Sequence, residues 1–131
     1  MKFVELTKRD LEIVNLAKRL VKDRHSKITS VASILRTRSN KIFSGVHVEA
    51  KLSSLSVCAE RIAIGNMITL GGKIIDTIVA ACYQKGKYSI LHPCGSCRQF
   101  MLQFGNPYII VKVKNSLKKV KLSELLPLPY K

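Results

Sequence analysis

The chain has 131 residues, 47% of them hydrophobic, and 23 Lys+Arg against 8 Asp+Glu give a formal net charge of +15. At this size a globular fold buries roughly two-thirds of the surface of its unfolded chain, so this apolar content fills a core without metal or disulfide support. Disorder and a two-domain division are set aside, and one domain over residues 1–131 is expected.

Lys2 is followed by Glu5, Lys8, Arg9 and Asp10, which leaves no apolar stretch for a secretory signal. The longest apolar run, Ile78–Cys82, is far short of the roughly 20 residues that cross a bilayer, so no membrane partner is expected. A cytoplasmic location is the default, and there four cysteines point to metal or catalysis more than to disulfides. The positive charge invites a nucleic-acid partner. Lysines are spread from Lys2 to Lys131, however, and the densest group (Lys112, Lys114, Lys118, Lys119, Lys121) lacks the interleaved aromatics of a base-stacking surface. A solvated lysine-rich surface is the stronger expectation and nucleic acid the weaker.

In chain order, Leu11, Ile13, Val14, Leu16, Ala17, Leu20 and Val21 recur between charges, and Thr7 with Asp10 three residues on resembles a capping box, predicting an amphipathic helix over about 7–23. Two β-rich runs follow, 31–37 and 42–48, separated by the turn formers Arg38-Ser39-Asn40-Lys41. After a loop from Glu49 to Ser56, residues 58–67 read as a helix that Gly71-Gly72 terminates. The strand 77–83 is continuously apolar and β-branched, as expected at the centre of a sheet covered on both faces. A Gly/Lys-rich loop leads to Pro93, which opens a helix over 94–104 that Gly105, Asn106 and Pro107 stop. A strand over 108–113 and a final antiparallel strand near 119–122 complete the order α-β-β-α-β-α-β-β. This predicts a three-layer α/β/α sandwich on a five-stranded mixed sheet.

Three cysteines stand at helix starts: Cys58 at one, and Cys94 with Cys97 at the other, in Pro93-Cys94-Gly95-Ser96-Cys97. Helix N-termini favour thiolates, and three of them can hold zinc with a fourth position open, which is the arrangement of a catalytic site. A structural zinc ribbon would need a second Cys-x-x-Cys pair. Cys82, the spare cysteine, lies in an apolar strand and reads as a small hydrophobe. A thioredoxin-like redox pair would follow the first strand, and this one comes late in the chain. Glu60, two residues after Cys58, falls on the first helical turn, where a carboxylate can take a proton from water at the metal.

Cys58-Ala59-Glu60 with Pro93-Cys94-x-x-Cys97 resembles the zinc-dependent nucleoside and nucleobase deaminases in their three-cysteine form. The segments Ile42–Glu49, Val57–Arg61, Cys94–Gln99 and Glu124–Pro127 are similar to the small homotetrameric cytidine deaminases over about residues 30–130. The resemblance implies a hydrolase acting on a cyclic amidine C–N bond in nucleoside salvage and pyrimidine metabolism. It implies hydroxide at zinc attacking C4 of cytidine or deoxycytidine, with Glu60 as proton shuttle. By the same resemblance Cys58, Cys94 and Cys97 are the zinc ligands, and Arg61 hydrogen-bonds a ligand sulfur to relieve the surplus charge of three thiolates. His47, Glu49 and Ala59 bind the nucleoside, and Tyr130 reaches a neighbour's site in a homotetramer.

His47 stands where the family has an asparagine, Thr29 where an aromatic lies against the pyrimidine, and His92 where a small residue precedes the Pro-Cys pair. Thr29, Val31-Ala32-Ser33 and Pro127-Leu128-Pro129-Tyr130 also resemble blasticidin S deaminase, whereas the spacing from His47 to Cys58 is that of ordinary cytidine deaminases. Deamination of a modified cytosine nucleoside or another aminated heterocycle is therefore the first alternative. A non-catalytic, zinc-stabilised RNA-binding module is the second; it needs neither an open metal position nor Glu60.

Overall fold

Thr7 caps the first helix from both sides, its hydroxyl accepting the Asp10 amide while the Asp10 carboxylate accepts the Thr7 amide. The helix, α1 (Lys8–Arg24), runs one residue beyond its expected end and buries Ile13, Val14, Ala17 and Val21. The computed structural model describes residues 1–131.

β1 (Val31–Thr37) and β2 (Ile42–Val46) form the expected hairpin, with Asn40 in the left-handed region at φ 69°. β2 stops two residues early, because beyond it Val48 pairs with Val57 across the loop instead of continuing along β1. α2 (Ala59–Thr69) follows, then β3 (Ile75–Gln84), which is central as expected: it pairs antiparallel with β1 along one edge and parallel with β5 (Tyr108–Val113) on the other.

The Gly/Lys-rich stretch holds a strand that was expected to be loop. β4 (Lys87–Leu91) pairs antiparallel with β3, making six strands where five were expected. The two-residue turn has positive φ at both Lys85 and Gly86, the mirror-image turn that suits strand twist, but lysine is not a residue that signals it. The second Cys-bearing helix is shorter than its sequence pattern: α3 (Gly95–Met101) tightens into a 3₁₀ turn over Leu102–Phe104 before Gly105 at φ 114°. The last strand, β6 (Ser116–Lys121), starts three residues earlier than expected and runs antiparallel to β5, followed by one turn of helix, α4 (Leu122–Leu125).

Alternation along the strands sorts the core into two layers. Ala32, Ile34, Val79, Ala81 and Ile110 face α1. Leu35, Ile78, Ile109 and Val111 face the other way, onto Ala63, Ile64 and Met67 of α2 and Met101 of α3. Helices therefore cover both faces of a mixed sheet in the order β2-β1-β3-β5-β6, with β4 beside the second half of β3.

One point in the α1 layer is charged. Asp10 is fully buried, and its carboxylate takes Arg36 Nη2 at 3.0 Å and Lys119 Nζ at 2.8 Å, joining α1 to β1 and β6. Arg36 Nη2 also reaches Asp76 at 3.0 Å and the Thr77 hydroxyl at 3.2 Å, while its buried Nη1 has no partner. Burial alone would raise the Asp10 pKa, but the hydrogen bonds from Lys119, the Thr7 amide and Arg36 outweigh it and hold the carboxyl below the usual range. A depressed carboxyl pKa stabilises the fold above its unfolded value, near 3.9, and that stability is lost as pH falls through the folded value. Urea denaturation should show stability falling as pH drops below about 4, and Asp10→Asn should reduce that dependence. At pH 7 Asp10→Ala should cost about 3–5 kcal/mol, since it leaves the buried Lys119 without a counter-charge and Arg36 with Asp76 alone. A loss below about 1 kcal/mol would mean that water replaces the carboxylate at no cost.

Candidate metal centre and active site

α2 and α3 lie on the same face of the sheet, and their N-termini converge. Cys58 is the N-cap of α2, Cys94 the N-cap of α3, and Cys97 lies in the first turn of α3. The approach of α2 rests on Gly45 of β2, where a Cβ would lie 2.8 Å from both Ala59 O and Ile62 C, closer than real Cβ atoms come. Any side chain there would push the start of α2, with Cys58 and Glu60, off the sheet.

The three Sγ atoms all fall within 4.8 Å of one another, and those of Cys58 and Cys94 are 4.0 Å apart. Tetrahedral zinc with Zn–S near 2.3 Å separates its sulfurs by roughly 3.8 Å, so the triad needs only a small contraction to hold the ion. The protonation of the triad points the same way. Burial pushes the Cys58 thiol up, as do the neighbouring Cys94 and Glu60, and burial with the Glu60 charge pushes Cys97 up further. Cys94 is the exception: burial opposes ionisation, but the Ser96 hydroxyl and the Cys97 amide bring it to about 7. Three crowded thiols cannot all ionise alone. A divalent cation removes that conflict, and the donor set is the sulfur-rich one that zinc takes.

Glu60 is buried at 7% exposure in the first turn of α2, and burial pushes its carboxyl up against the opposing pull of its own amide and Arg61. It lines a cavity of about 150 Å³ with Val31, His47, Cys58, Ala59, Leu91, His92 and Cys94. A larger cavity, about 400 Å³, lies at the far end of α2 between Thr37 and Ile74 and is lined by no cysteine, histidine or carboxylate.

The sequence-derived residues are thus brought together at one place, with three qualifications. Arg61 reaches the metal loop through Ser96, whose hydroxyl lies 3.4 Å from Cys94 Sγ, and not through a ligand sulfur. Glu49 does not line the cavity and joins it through His47, its carboxylate bonded to His47 Nε2 and the Ser56 hydroxyl, each at 3.1 Å. Tyr130 does not line its own chain's cavity; the residue is 85% exposed while Gln99 clamps its backbone, accepting from the amide at 2.9 Å and donating to the carbonyl at 3.1 Å.

Several supporting groups have no signature in the sequence. Thr29 donates its hydroxyl to the His47 carbonyl at 2.9 Å, so this position holds the segment that carries His47. His92 Nε2 accepts the Lys112 amide at 3.3 Å, at the seam where β4 and β5 share the edge of β3. Arg98 donates to the carbonyls of Pro93, at 2.9 Å, and Leu125, at 3.1 Å, tying the metal loop to α4. Ser56, two residues before Cys58, lies in the segment read as a loop; the bonds from Thr29 to His47, from Lys112 to His92 and from Arg98 to Leu125 join residues 18 to 27 positions apart.

Metal analysis of the purified protein should find one zinc per chain, and Cys94→Ala combined with Cys97→Ala should abolish it. Zinc retained by that double variant would place the ion elsewhere.

A family model described as "Cytidine and deoxycytidylate deaminase zinc-binding region" matches residues 7–113. The chain is 31% identical to a blasticidin-S deaminase of Bacillus cereus over 99% of its own length and 98% of that protein's. It is 34% identical to a cytidine deaminase of Mycoplasma genitalium over 67% of its own length and 68% of that protein's. Its fold matches the crystal structure of cytidine deaminase from Mycobacterium leprae with a TM-score of 0.79 and 21% identity, covering 94% of this chain and 100% of that one. With three thiols gathered at two helix starts inside the matched region, the chain belongs to the cytidine and deoxycytidylate deaminase zinc-binding family.

Proposed function

We propose that this protein is a zinc-dependent hydrolase that converts a cytosine nucleoside, cytidine or deoxycytidine, to the uracil nucleoside and ammonia. The observation that carries the reading is the buried Glu60 carboxyl in the same cavity as the Cys58 and Cys94 sulfurs, with Cys97 completing the triad behind them. Zinc held by these three thiolates supplies the Lewis acidity that makes water nucleophilic near neutral pH.

The chain's own residues do the rest. Glu60 accepts a proton from water as its oxygen adds to C4, delivers that proton to N3, and carries the second to the departing amine, so that ammonia leaves and C4 becomes a carbonyl. Burial favours the protonated carboxyl, which suits a group that must give the proton back. The Ala59 amide, in the first turn of α2 and without an intrahelical acceptor, donates to the pyrimidine carbonyl. Glu49 binds sugar hydroxyls beside the cavity, and Arg61 with Ser96 places positive charge and a donor beside Cys94.

The assembly we propose is a homotetramer, working in the cytoplasm in nucleoside salvage, with residues 1–131 acting as one domain. Gln99 of α3 holds the backbone of the exposed Tyr130, which leaves its side chain free to complete a neighbouring subunit's cavity. A second reading, a modified cytosine nucleoside of the blasticidin S kind, is favoured by the full-length likeness to the Bacillus cereus enzyme and by Thr29 in place of a stacking aromatic.

Ammonia release measured with cytidine, deoxycytidine, cytosine, blasticidin S and a short cytosine-containing RNA separates these readings. Turnover of blasticidin S alone would select the second, and none from any of them would overturn both. Glu60→Gln should retain zinc but lose at least about 10²-fold in turnover, the low end for removing a general acid–base group. Near-normal turnover would show that another group moves the proton. In light scattering the protein should have the mass of four chains, and Tyr130→Ala should lower kcat/KM in the intact tetramer; a monomer would defeat both statements.

A further inference from the structure

We infer that His47 is a positioning residue: its Nε2–H holds the Glu49 carboxylate, so that the sugar of the substrate is read by Glu49 and not by the imidazole. This rests on the nucleoside deaminase reading above. A neutral imidazole has one donor and one acceptor nitrogen, and the partners of His47 assign them. The Ser30 backbone amide, which can only donate, lies 3.4 Å from Nδ1, so Nδ1 accepts. The proton is then on Nε2, which lies 3.1 Å from Glu49 Oε1, a carboxylate oxygen that can only accept when ionised. The ring's single N–H is committed inside the protein.

The surrounding bonds hold this pairing in place. The Thr29 hydroxyl fixes the His47 carbonyl, and the Glu49 amide donates to the Ile28 carbonyl at 2.7 Å, so both residues are stitched to the segment before β1. The second carboxylate oxygen takes the Ser56 hydroxyl, which itself accepts the Ala50 amide at 2.9 Å. Each oxygen of Glu49 therefore carries one donor from the protein and keeps a lone pair for a substrate hydroxyl. Exposure divides the roles in the same way: the Glu49 side chain is 50% exposed and that of His47 only 19%.

Replacement chemistry separates this role from direct sugar contact. A glutamine amide places nitrogen near the position of histidine Nε2, whereas an asparagine amide stops one bond earlier, near Nδ1. Direct contact of the kind the family's asparagine makes would be preserved or improved by His47→Asn; positioning of Glu49 would be preserved by His47→Gln.

In the zinc-loaded protein without substrate, long-range ¹H–¹⁵N correlation should show His47 as the Nε2-protonated tautomer. With cytidine, His47→Asn should raise KM about tenfold with kcat nearly unchanged, the pattern of lost uniform binding, and His47→Gln should restore KM to within about threefold. With 2′,3′-dideoxycytidine, which offers Glu49 no secondary hydroxyl, the three proteins should share one KM. A proton on Nδ1, or His47→Asn matching the unaltered protein on cytidine, would overturn the inference. Should no cytosine nucleoside be deaminated, the functional reading fails, and the tautomer still decides how His47 is used.

Discussion

The distance between α2 and the sheet is set at Gly45. With no Cβ at this position, the first turns of α2 rest directly on β2, and a methyl group would have to occupy space already held by the backbone of Ala59 and Ile62. Everything proposed for the chemistry stands on that contact, because Cys58, Ala59 and Glu60 are the cap and first two residues of the helix. β1, between β2 and β3, carries this placement across the sheet, and β3 relays it through β5 to the layer where α3 presents Cys94 and Cys97.

Two clusters of ionisable groups sit on opposite faces of this sheet and obey different rules. On the α1 face, Asp10 is matched by Arg36 and Lys119, opposite charges whose attraction offsets the cost of burial. On the other face, three thiols and Glu60 are acidic groups without a matching cation from the protein in direct contact; beyond burial, Cys94 and Glu60 push the Cys58 pKa up, and Glu60, Cys94 and Cys58 push that of Cys97 up. The first arrangement closes the fold on itself. The second is complete only with a bound cation, which is why it belongs to the chemistry and not to the architecture.

The polar side chains beside the cavity are coupled through hydrogen bonds. Thr29, Ser30, His47, Glu49 and Ser56 form one connected set of hydrogen bonds, so a replacement at 29 or at 47 disturbs the same network. A hydroxyl at 29 is the right size to reach a backbone carbonyl that an aromatic side chain would cover. The loop that holds Glu49 is thereby tied to the start of β1 on one side and to the lead into α2 on the other.

By itself the sequence determined the elements whose signals are local. Thr7 and Asp10 announce the α1 start through a reciprocal bond three residues apart, the β-branched run of β3 announces a buried strand, and Cys58-x-Glu60 with Cys94-x-x-Cys97 announces the metal because helix geometry places each group within one turn of an N-terminus. β4 has no local signal, because its turn uses Lys85 in a left-handed conformation that lysine rarely adopts and that the pairing with β3 enforces. The partners of Asp10, 26 and 109 residues away, the route from Arg61 to Ser96, and the assignment of the His47 proton were decided only by tertiary structure. A hydrogen bond depends on the separation of two atoms in space, and no periodicity along the chain records which distant donor will meet which acceptor.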